Sequence, residues 1–110
     1  NFAFSSKADK KLLDYQYNES LKCSSEVIYK DFFACDNFNV MNTINSISLP
    51  TLIICGKEDA LTPPKYAEFL QKQIKNSTLV LIEDSGHVPL LERPEEVNNA
   101  IEKFIKQANF

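Results

Sequence analysis

The sequence predicts an α/β fold in which parallel strands and helices alternate along residues 51–106. The two strand candidates are short apolar runs, Thr-Leu-Ile-Ile-Cys at 51–55 and Thr-Leu-Val-Leu-Ile at 78–82. Neither run alternates polar with apolar residues, which is typical of strands that are covered on both faces of a parallel sheet. A segment with helical spacing of its apolar residues follows each run. The order strand, helix, strand, helix indicates a right-handed crossover unit and one further covering helix.

Local signals bound each of these elements in turn. Pro50 precedes the first strand and Gly56 follows it, whereas polar residues flank the second strand on both sides. Since proline favours the first position of a helix, the two helices are predicted to begin near Pro64 and at Pro94. The second of them also has an acidic first turn, where the helix dipole favours negative charge. The apolar faces are Tyr66, Phe69, Leu70 and Ile74 in the first helix and Val97, Ala100, Ile101, Phe104 and Ile105 in the second.

Residues 1–40 contain no apolar run of comparable strength and are predicted to form a separate helical segment, whereas residues 41–110 hold the strand and helix unit. Two helices are expected in the first segment. The apolar positions that indicate them are Leu12, Leu13 and Tyr17 for the earlier, shorter helix and Leu21, Ile28 and Phe32 for the later one.

Two parallel strands do not form a stable sheet in water by themselves, because both outer edges carry unpaired backbone groups. We therefore expect further strands to complete the sheet. They would come from a preceding part of the same protein, from another chain or from a second copy in a homo-oligomer. The sequence begins with Asn1 and has a single methionine, Met41, so we expect it to be the C-terminal piece of a longer protein.

Composition excludes several classes of function. The net charge of −3 and the single arginine, Arg93, argue against a nucleic-acid-binding face. No apolar run approaches the ~18 to 20 residues of a membrane span, and no signal peptide is recognisable. The three cysteines form no C-x-x-C pair, and the two glycines are too few for a phosphate-binding or dinucleotide-binding loop. We expect a soluble, cytoplasmic protein without a metal or a cofactor.

Candidate catalytic residues follow both predicted strands, at the edge where open α/β sheets collect their functional groups. Asp59 follows the first strand, and His87, the only histidine, follows the second. Neighbouring parallel strands lie ~4.8 Å apart, so the two side chains can meet. A carboxylate that accepts a hydrogen bond from one imidazole nitrogen stabilises the imidazolium that forms when the other nitrogen takes a proton. The pair therefore predicts an orienting acid and a general base.

Simpler alternatives exist for these residues and their neighbours. Asp59 is also suited to cap the helix that follows it, as aspartate often does. Glu58 is a rival for the role of the acid, with a solvated loop charge as its alternative. Ser85 is too close to His87 along the chain to be a credible nucleophile, and Glu92 is expected to be structural.

The residues around the two candidates resemble the C-terminal part of the α/β-hydrolase family. Residues 49–56 read Leu-Pro-Thr-Leu-Ile-Ile-Cys-Gly and precede Asp59, as in the family's strand-and-acid segment. Residues 85–97, from Ser-Gly-His to Leu-Leu-Glu-Arg-Pro-Glu-Glu-Val, resemble the family's histidine loop and final helix. Residues 36–47 resemble the approach to the strand, so the resemblance covers roughly residues 24–108.

The resemblance implies a serine hydrolase of the esterase type in which Asp59 and His87 complete a Ser-Asp-His triad. The family's chain order is nucleophile, acid, histidine, yet the G-x-S-x-G nucleophile elbow is absent here. We therefore expect the chain alone to be inactive. The implied substrate is an ester, thioester or amide of a small apolar molecule. Residues 1–40 would be the remnant of a cap or lid, and three of the chain's aromatic residues would line its pocket or pack in a core: Phe32, Phe33 and Phe38.

Two other functions stay open. Relatives on the same scaffold use an aspartate nucleophile for dehalogenation or act as haloperoxidases or lyases, because fold alone does not fix chemistry. The chain could instead be a non-catalytic module that acts through protein association at its sheet edges.

Overall fold

The structure, a computed structural model, describes residues 3–108. In the described chain, two helices and a 3-10 turn come first, and the remaining elements follow in the order strand, helix, strand, helix, helix. The element bounds are α1 (Lys10–Leu21), α2 (Ser25–Asn37), the 3-10 turn (Ile44–Ser46), β1 (Thr51–Gly56), α3 (Pro64–Gln73), β2 (Ser77–Ile82), α4 (Pro89–Glu92) and α5 (Pro94–Ala108).

The sheet confirms the predicted pair of parallel strands. β1 and β2 are hydrogen-bonded neighbours, with a register that runs from Thr51 opposite Ser77 to Gly56 opposite Ile82. Both α3 and α5 contact both strands, as a crossover unit with a covering helix requires. The two strands therefore end side by side, and the loops that follow them begin at the same edge of the sheet.

The strands are less covered than their sequence predicts. Within the described part of the chain, only Cys55, Gly56 and Ile82 of the strand residues are buried, and most of the others are half-buried. The physical reason is that each strand has one hydrogen-bonded neighbour here, so each also has one open edge. The core lies at the strand ends and under the helices, where Ala67, Ile74 and Val97 are buried.

The helix starts follow the local signals. Asp9 caps α1 by accepting a hydrogen bond from the Lys11 N–H, and the Ser24 hydroxyl caps α2 by accepting from the Val27 N–H. Because α2 begins only after Ser24, Leu21 ends α1 and does not belong to the later helix, which corrects the predicted grouping. Prolines begin α3 and α5 as expected.

Two features were not predicted. The short helix α4 forms directly after the histidine loop. In addition, residues 3–6 run beside that loop, where Phe4 and Ser5 are buried at 6% and 5% exposure. No helix within residues 3–108 is both long enough and apolar enough to cross a bilayer.

Candidate active site

Asp59 organises the turn that follows β1. Its Oδ1 atom accepts hydrogen bonds from the backbone N–H groups of Leu61 at 3.0 Å and Thr62 at 2.9 Å. Its Oδ2 atom accepts one from the Thr62 hydroxyl at 3.0 Å. The alternative that Asp59 caps α3 is wrong, because the cap position is Pro63 and no side chain bonds there. The carboxylate is buried and held in place before the helix begins.

The structure brings Asp59 and His87 together. His87 Nδ1 lies 3.0 Å from Asp59 Oδ2 and 3.2 Å from the Thr62 Oγ1 atom. The Asp59 side chain is 5% exposed, whereas the His87 side chain is 41% exposed. The aspartate thus supports the imidazole from the interior, and the ring faces accessible space.

The protonation state of Asp59 fixes what the imidazole can do. Burial by itself would raise the pKa of the Asp59 carboxyl, but hydrogen bonds from Thr62 and His87 outweigh burial and lower that pKa below its ordinary value. An ionised carboxylate only accepts hydrogen bonds, so we assign the shared proton to His87 Nδ1. In the neutral ring, Nε2 then carries a lone pair that can take a proton.

Glu58, the rival acid, has other partners. Its two carboxylate oxygens accept hydrogen bonds from the Ser5 hydroxyl at 2.7 Å and the Ser6 hydroxyl at 3.0 Å. Those hydrogen bonds, with that from Ser5 the largest cause, lower the pKa of the Glu58 carboxyl. Of the two neighbouring acids, it is Asp59 that contacts His87.

The other acids and the serine of the histidine loop have structural surroundings. Glu83 forms an ion pair with Lys57, and Asp84 forms one with Lys7 at 2.7 Å. Ser85 has no solvent exposure, and its hydroxyl has no hydrogen-bond partner among residues 3–108. A fully buried hydroxyl cannot reach a substrate in this arrangement.

The pair of Asp59 and His87 borders an apolar cavity of about 340 Å³. The other side chains around it come from β1, α3 and the start of α4, and they include Ile53, Ile54, Tyr66, Ala67, Leu70 and Pro89. A cavity of this kind, with few polar groups at one end, is typical of a small-molecule site.

Three aromatic residues of the helical segment, Phe32, Phe33 and Phe38, are not in a core. Phe32 and Phe33 are exposed, and Phe33 stacks on Tyr29 with ring centroids 6.2 Å apart. Phe38 borders a separate cavity of about 530 Å³ that also reaches Tyr66. The expectation of core packing is therefore wrong for all three within the described chain, whereas Phe38 does line a cavity.

Sequence reasoning missed one residue that supports the site. Thr62 binds both members of the pair, and a hydroxyl three residues after the acid was the available signal. Glu92 was expected to be structural, and its carboxylate does have a structural role, since it binds backbone N–H groups on either side of His87. Backbone partners leave no pattern in the side-chain sequence. No group of three or more His, Cys, Asp or Glu side chains between residues 3 and 108 is placed to hold a metal ion.

Comparison with known proteins agrees with this architecture. The sequence model of the alpha/beta hydrolase fold matches residues 5–94. The chain therefore belongs to the α/β-hydrolase fold family, and the resemblance predicted from the sequence is confirmed.

Two curated relatives illustrate the match. The chain is 30% identical over 73 residues to the pimeloyl-[acyl-carrier protein] methyl ester esterase of Neisseria meningitidis, which covers 66% of this chain and 28% of that protein. It is 31% identical over 101 residues to the AB hydrolase superfamily protein YisY of Bacillus subtilis, which covers 92% of this chain and 38% of that protein. The chain thus spans well under half the length of these relatives.

Solved structures of esterases share the fold. A thermophilic esterase is 37% identical and superposes with a TM-score of 0.86 over 97% of this chain and 43% of its own. The esterase EaEST of Exiguobacterium antarcticum is 26% identical, with a TM-score of 0.84 over 96% of this chain and 39% of its own. The α/β architecture of nearly the whole chain, including its helical segment, therefore recurs in esterases.

Proposed function

We propose that this chain supplies the acid and the base of a Ser-Asp-His triad in a hydrolase. The observation that carries the proposal is the 3.0 Å contact between Asp59 Oδ2 and His87 Nδ1, with the imidazole open to an apolar cavity. The serine would come from a part of the protein outside this sequence, which contains no G-x-S-x-G elbow. On this reading the isolated chain is inactive.

In the proposed reaction, His87 acts first as a base. Its Nε2 atom takes the proton of the serine hydroxyl while the serine oxygen attacks the substrate carbonyl carbon. The imidazolium then carries a positive charge beside the buried Asp59 carboxylate, which stabilises it. His87 next donates the proton from Nε2 to the leaving group. Water releases the acyl group in the same way, with His87 again taking and returning one proton.

The proposed substrate is an ester, thioester or amide with a small apolar group. The part of the cavity beside His87 that lies outside the open β1 edge is lined by apolar side chains such as Tyr66, Leu70 and Pro89, which suits an apolar acyl or alcohol group. Several relatives are esterases by name, among them the meningococcal and thermophilic proteins, which favours an ester. Dehalogenase, haloperoxidase and lyase chemistry on the same fold remain alternatives that the nucleophile would decide.

A fluorophosphonate probe tests the proposal, because it reacts with a serine that a working triad activates. The complete protein should be labelled and should hydrolyse p-nitrophenyl butyrate, whereas the isolated 110-residue chain should do neither. His87→Gln in the complete protein should abolish both. Labelling and hydrolysis that persist in His87→Gln would contradict the proposal. An aspartate in place of the elbow serine would instead indicate dehalogenase chemistry.

A second candidate function, association through the sheet, is favoured by the open strand edges. Among residues 3–108, β1 and β2 each have one unpaired edge, and Phe32 of α2 is 73% exposed. We propose that the strand edges pair with the rest of the protein or with a second copy of the chain. Light scattering coupled to gel filtration should show the isolated chain as a dimer or larger. A monomer at every concentration would contradict self-association.

We further infer a cytoplasmic location from the cysteines. All three are free thiols, and Cys23 and Cys35 are exposed. Exposed free thiols are typical of a reducing compartment. Cell fractionation should recover the protein with the cytosol, and recovery in a secreted or periplasmic fraction would contradict this location.

A further inference from the structure

The backbone of the histidine loop is held at three consecutive N–H groups. The N–H groups of Gly86 and Val88, which flank the base, both donate to the carboxylate of Glu92. The N–H of His87 itself donates to the carbonyl oxygen of Ala3 at 2.6 Å. Loop N–H groups commonly bind water, so three successive protein acceptors mark a segment whose backbone is fixed.

Glu92 is the centre of this arrangement. Its Oε1 atom accepts from the Ser5 N–H at 2.6 Å and from the Gly86 N–H at 3.1 Å. Its Oε2 atom accepts from the Gly86 N–H at 3.0 Å and from the Val88 N–H at 3.2 Å. One carboxylate therefore joins the residues before and after His87 to the N-terminal segment. Hydrogen bonds to a charged acceptor are stronger than neutral ones, which suits a clamp.

The short helix α4 gives the carboxylate its position. Glu92 is the last residue of α4, and its own N–H donates to the Val88 carbonyl at 3.1 Å. Its side chain meanwhile accepts from the Val88 N–H. Both backbone polar groups of Val88, its N–H and its carbonyl, are thus bonded to Glu92. This limits how far Glu92 can move relative to the loop.

The N-terminal segment links the same loop to the acid. Ser5 donates its N–H to Glu92 and its hydroxyl to Glu58, the residue next to Asp59. The segment fits closely, since a Cβ atom on Gly86 would lie 2.7 Å from the carbonyl carbon of Phe4. Residues 3–6 therefore connect the loop that carries the base with the loop that carries the acid.

We propose that Glu92 is a positioning residue for His87, which rests on the function proposed above. It holds the peptide groups on both sides of His87, so that the imidazole keeps its Nδ1 atom on Asp59 and its Nε2 atom toward the nucleophile. A glutamine in its place would present an NH₂ group, a donor, to backbone donors. The loop would then relax, and the orientation of the imidazole would change.

The test compares variants of the complete protein in p-nitrophenyl butyrate hydrolysis. Glu92→Gln should lower kcat roughly 10- to 100-fold with KM unchanged, since misplacing a catalytic group by about 1 Å can cost 10²-fold. Glu92→Asp keeps the charge but is one methylene shorter, and its kcat should lie between those of the wild type and Glu92→Gln. Glu95→Gln is the matched control, because Glu95 is exposed in the first turn of α5, and it should keep the wild-type kcat.

A second measurement separates positioning from stability alone. The low-field NMR signal of the His87 Nδ1 proton, assigned by its loss in His87→Gln, should broaden or disappear in Glu92→Gln at a temperature where circular dichroism shows the variant folded. A purely structural Glu92 would lower the melting temperature yet leave that signal and kcat unchanged. Such a result overturns the proposal, as does a wild-type kcat in Glu92→Asp if Glu92→Gln fails to fold.

The two proposals fail in different ways. If His87→Gln keeps full activity, the triad assignment is wrong, whatever Glu92 does. If His87→Gln abolishes hydrolysis while folded Glu92→Gln keeps the wild-type kcat and Nδ1 signal, the triad stands and the positioning role is wrong.

Discussion

Gly56 and Gly86 approach so closely that a Cβ atom on Gly56 would lie 2.1 Å from the Gly86 carbonyl oxygen. The same atom would lie 2.4 Å from the Ser85 carbonyl oxygen. Gly56 ends β1 and Gly86 directly precedes His87, so this contact sets how near the two functional loops can come. The chain's two glycines therefore stand where the acid loop and the base loop meet.

Gly56→Ala should destabilise the protein by about 1–3 kcal/mol, the usual cost of overpacking a close contact. Backbone atoms form the obstacle, so a change of rotamer cannot relieve it. Urea unfolding followed by circular dichroism measures the effect. Lys57→Ala, at the exposed neighbouring position, should cost about 0.5 kcal/mol or less. Equal stability of the two variants would show that the loops separate easily.

Asp59→Asn should lower kcat by ~10⁴, as for triad aspartates in general, because the amide would stabilise the wrong tautomer of His87. The measurement is ester hydrolysis by the complete protein. Glu58→Gln tests the rival acid. Because Glu58 binds Ser5 and Ser6 rather than His87, the loss of kcat in this variant should be far smaller than in Asp59→Asn. A loss below tenfold in Asp59→Asn would remove Asp59 from the mechanism.

The stability of the protein should depend on pH through Asp59. The pKa of this carboxyl is lowered in the folded state, so it stabilises the fold above the ordinary aspartate value of ~3.9. That contribution is lost as the pH falls through the lowered folded-state pKa, because the unfolded chain takes up the proton first.

A comparison of the wild type with Asp59→Asn isolates the contribution of Asp59. The pKa values of Glu58 and Asp84 are also lowered, but both residues are present in the wild type and in the variant, so their contributions cancel. The difference in unfolding free energy between wild type and Asp59→Asn should shrink as the pH falls from 7 to below about 4. Denaturant titrations at stepped pH measure it. A difference that stays constant across this range would contradict the lowered pKa.

Ser85→Ala should leave the stability unchanged or raise it slightly. The Ser85 hydroxyl is fully buried without a hydrogen-bond partner in residues 3–108, so its removal deletes a desolvated polar group and no bond. The Ser85 carbonyl still accepts from the Glu58 N–H at 2.8 Å. Thermal unfolding and ester hydrolysis should both match the wild type. A large loss of activity would show that the Ser85 hydroxyl takes part in catalysis, contrary to what its burial indicates.

The strands, the helices α3 and α5 and the two candidate residues were predictable because their signals are local. A covered parallel strand is an apolar run, and a proline with acidic residues after it marks a helix start. The position of Asp59 and His87 after adjacent strands then required only the order of the elements. The grouping of Leu21 failed for a local reason as well, since the cap at Ser24 separates two similar apolar patterns.

By itself, the sequence determined the α/β class, the parallel pair and the residues that meet at its edge, because periodicity and chain order are properties of neighbouring residues. Only the tertiary structure decided how that edge is held together. The contact from Ser5 to Glu92 joins positions 87 residues apart, and Glu92 binds backbone N–H groups that every residue but proline has. No pattern of side chains in the sequence predicts such contacts, because they depend on which distant segments the folded chain brings together.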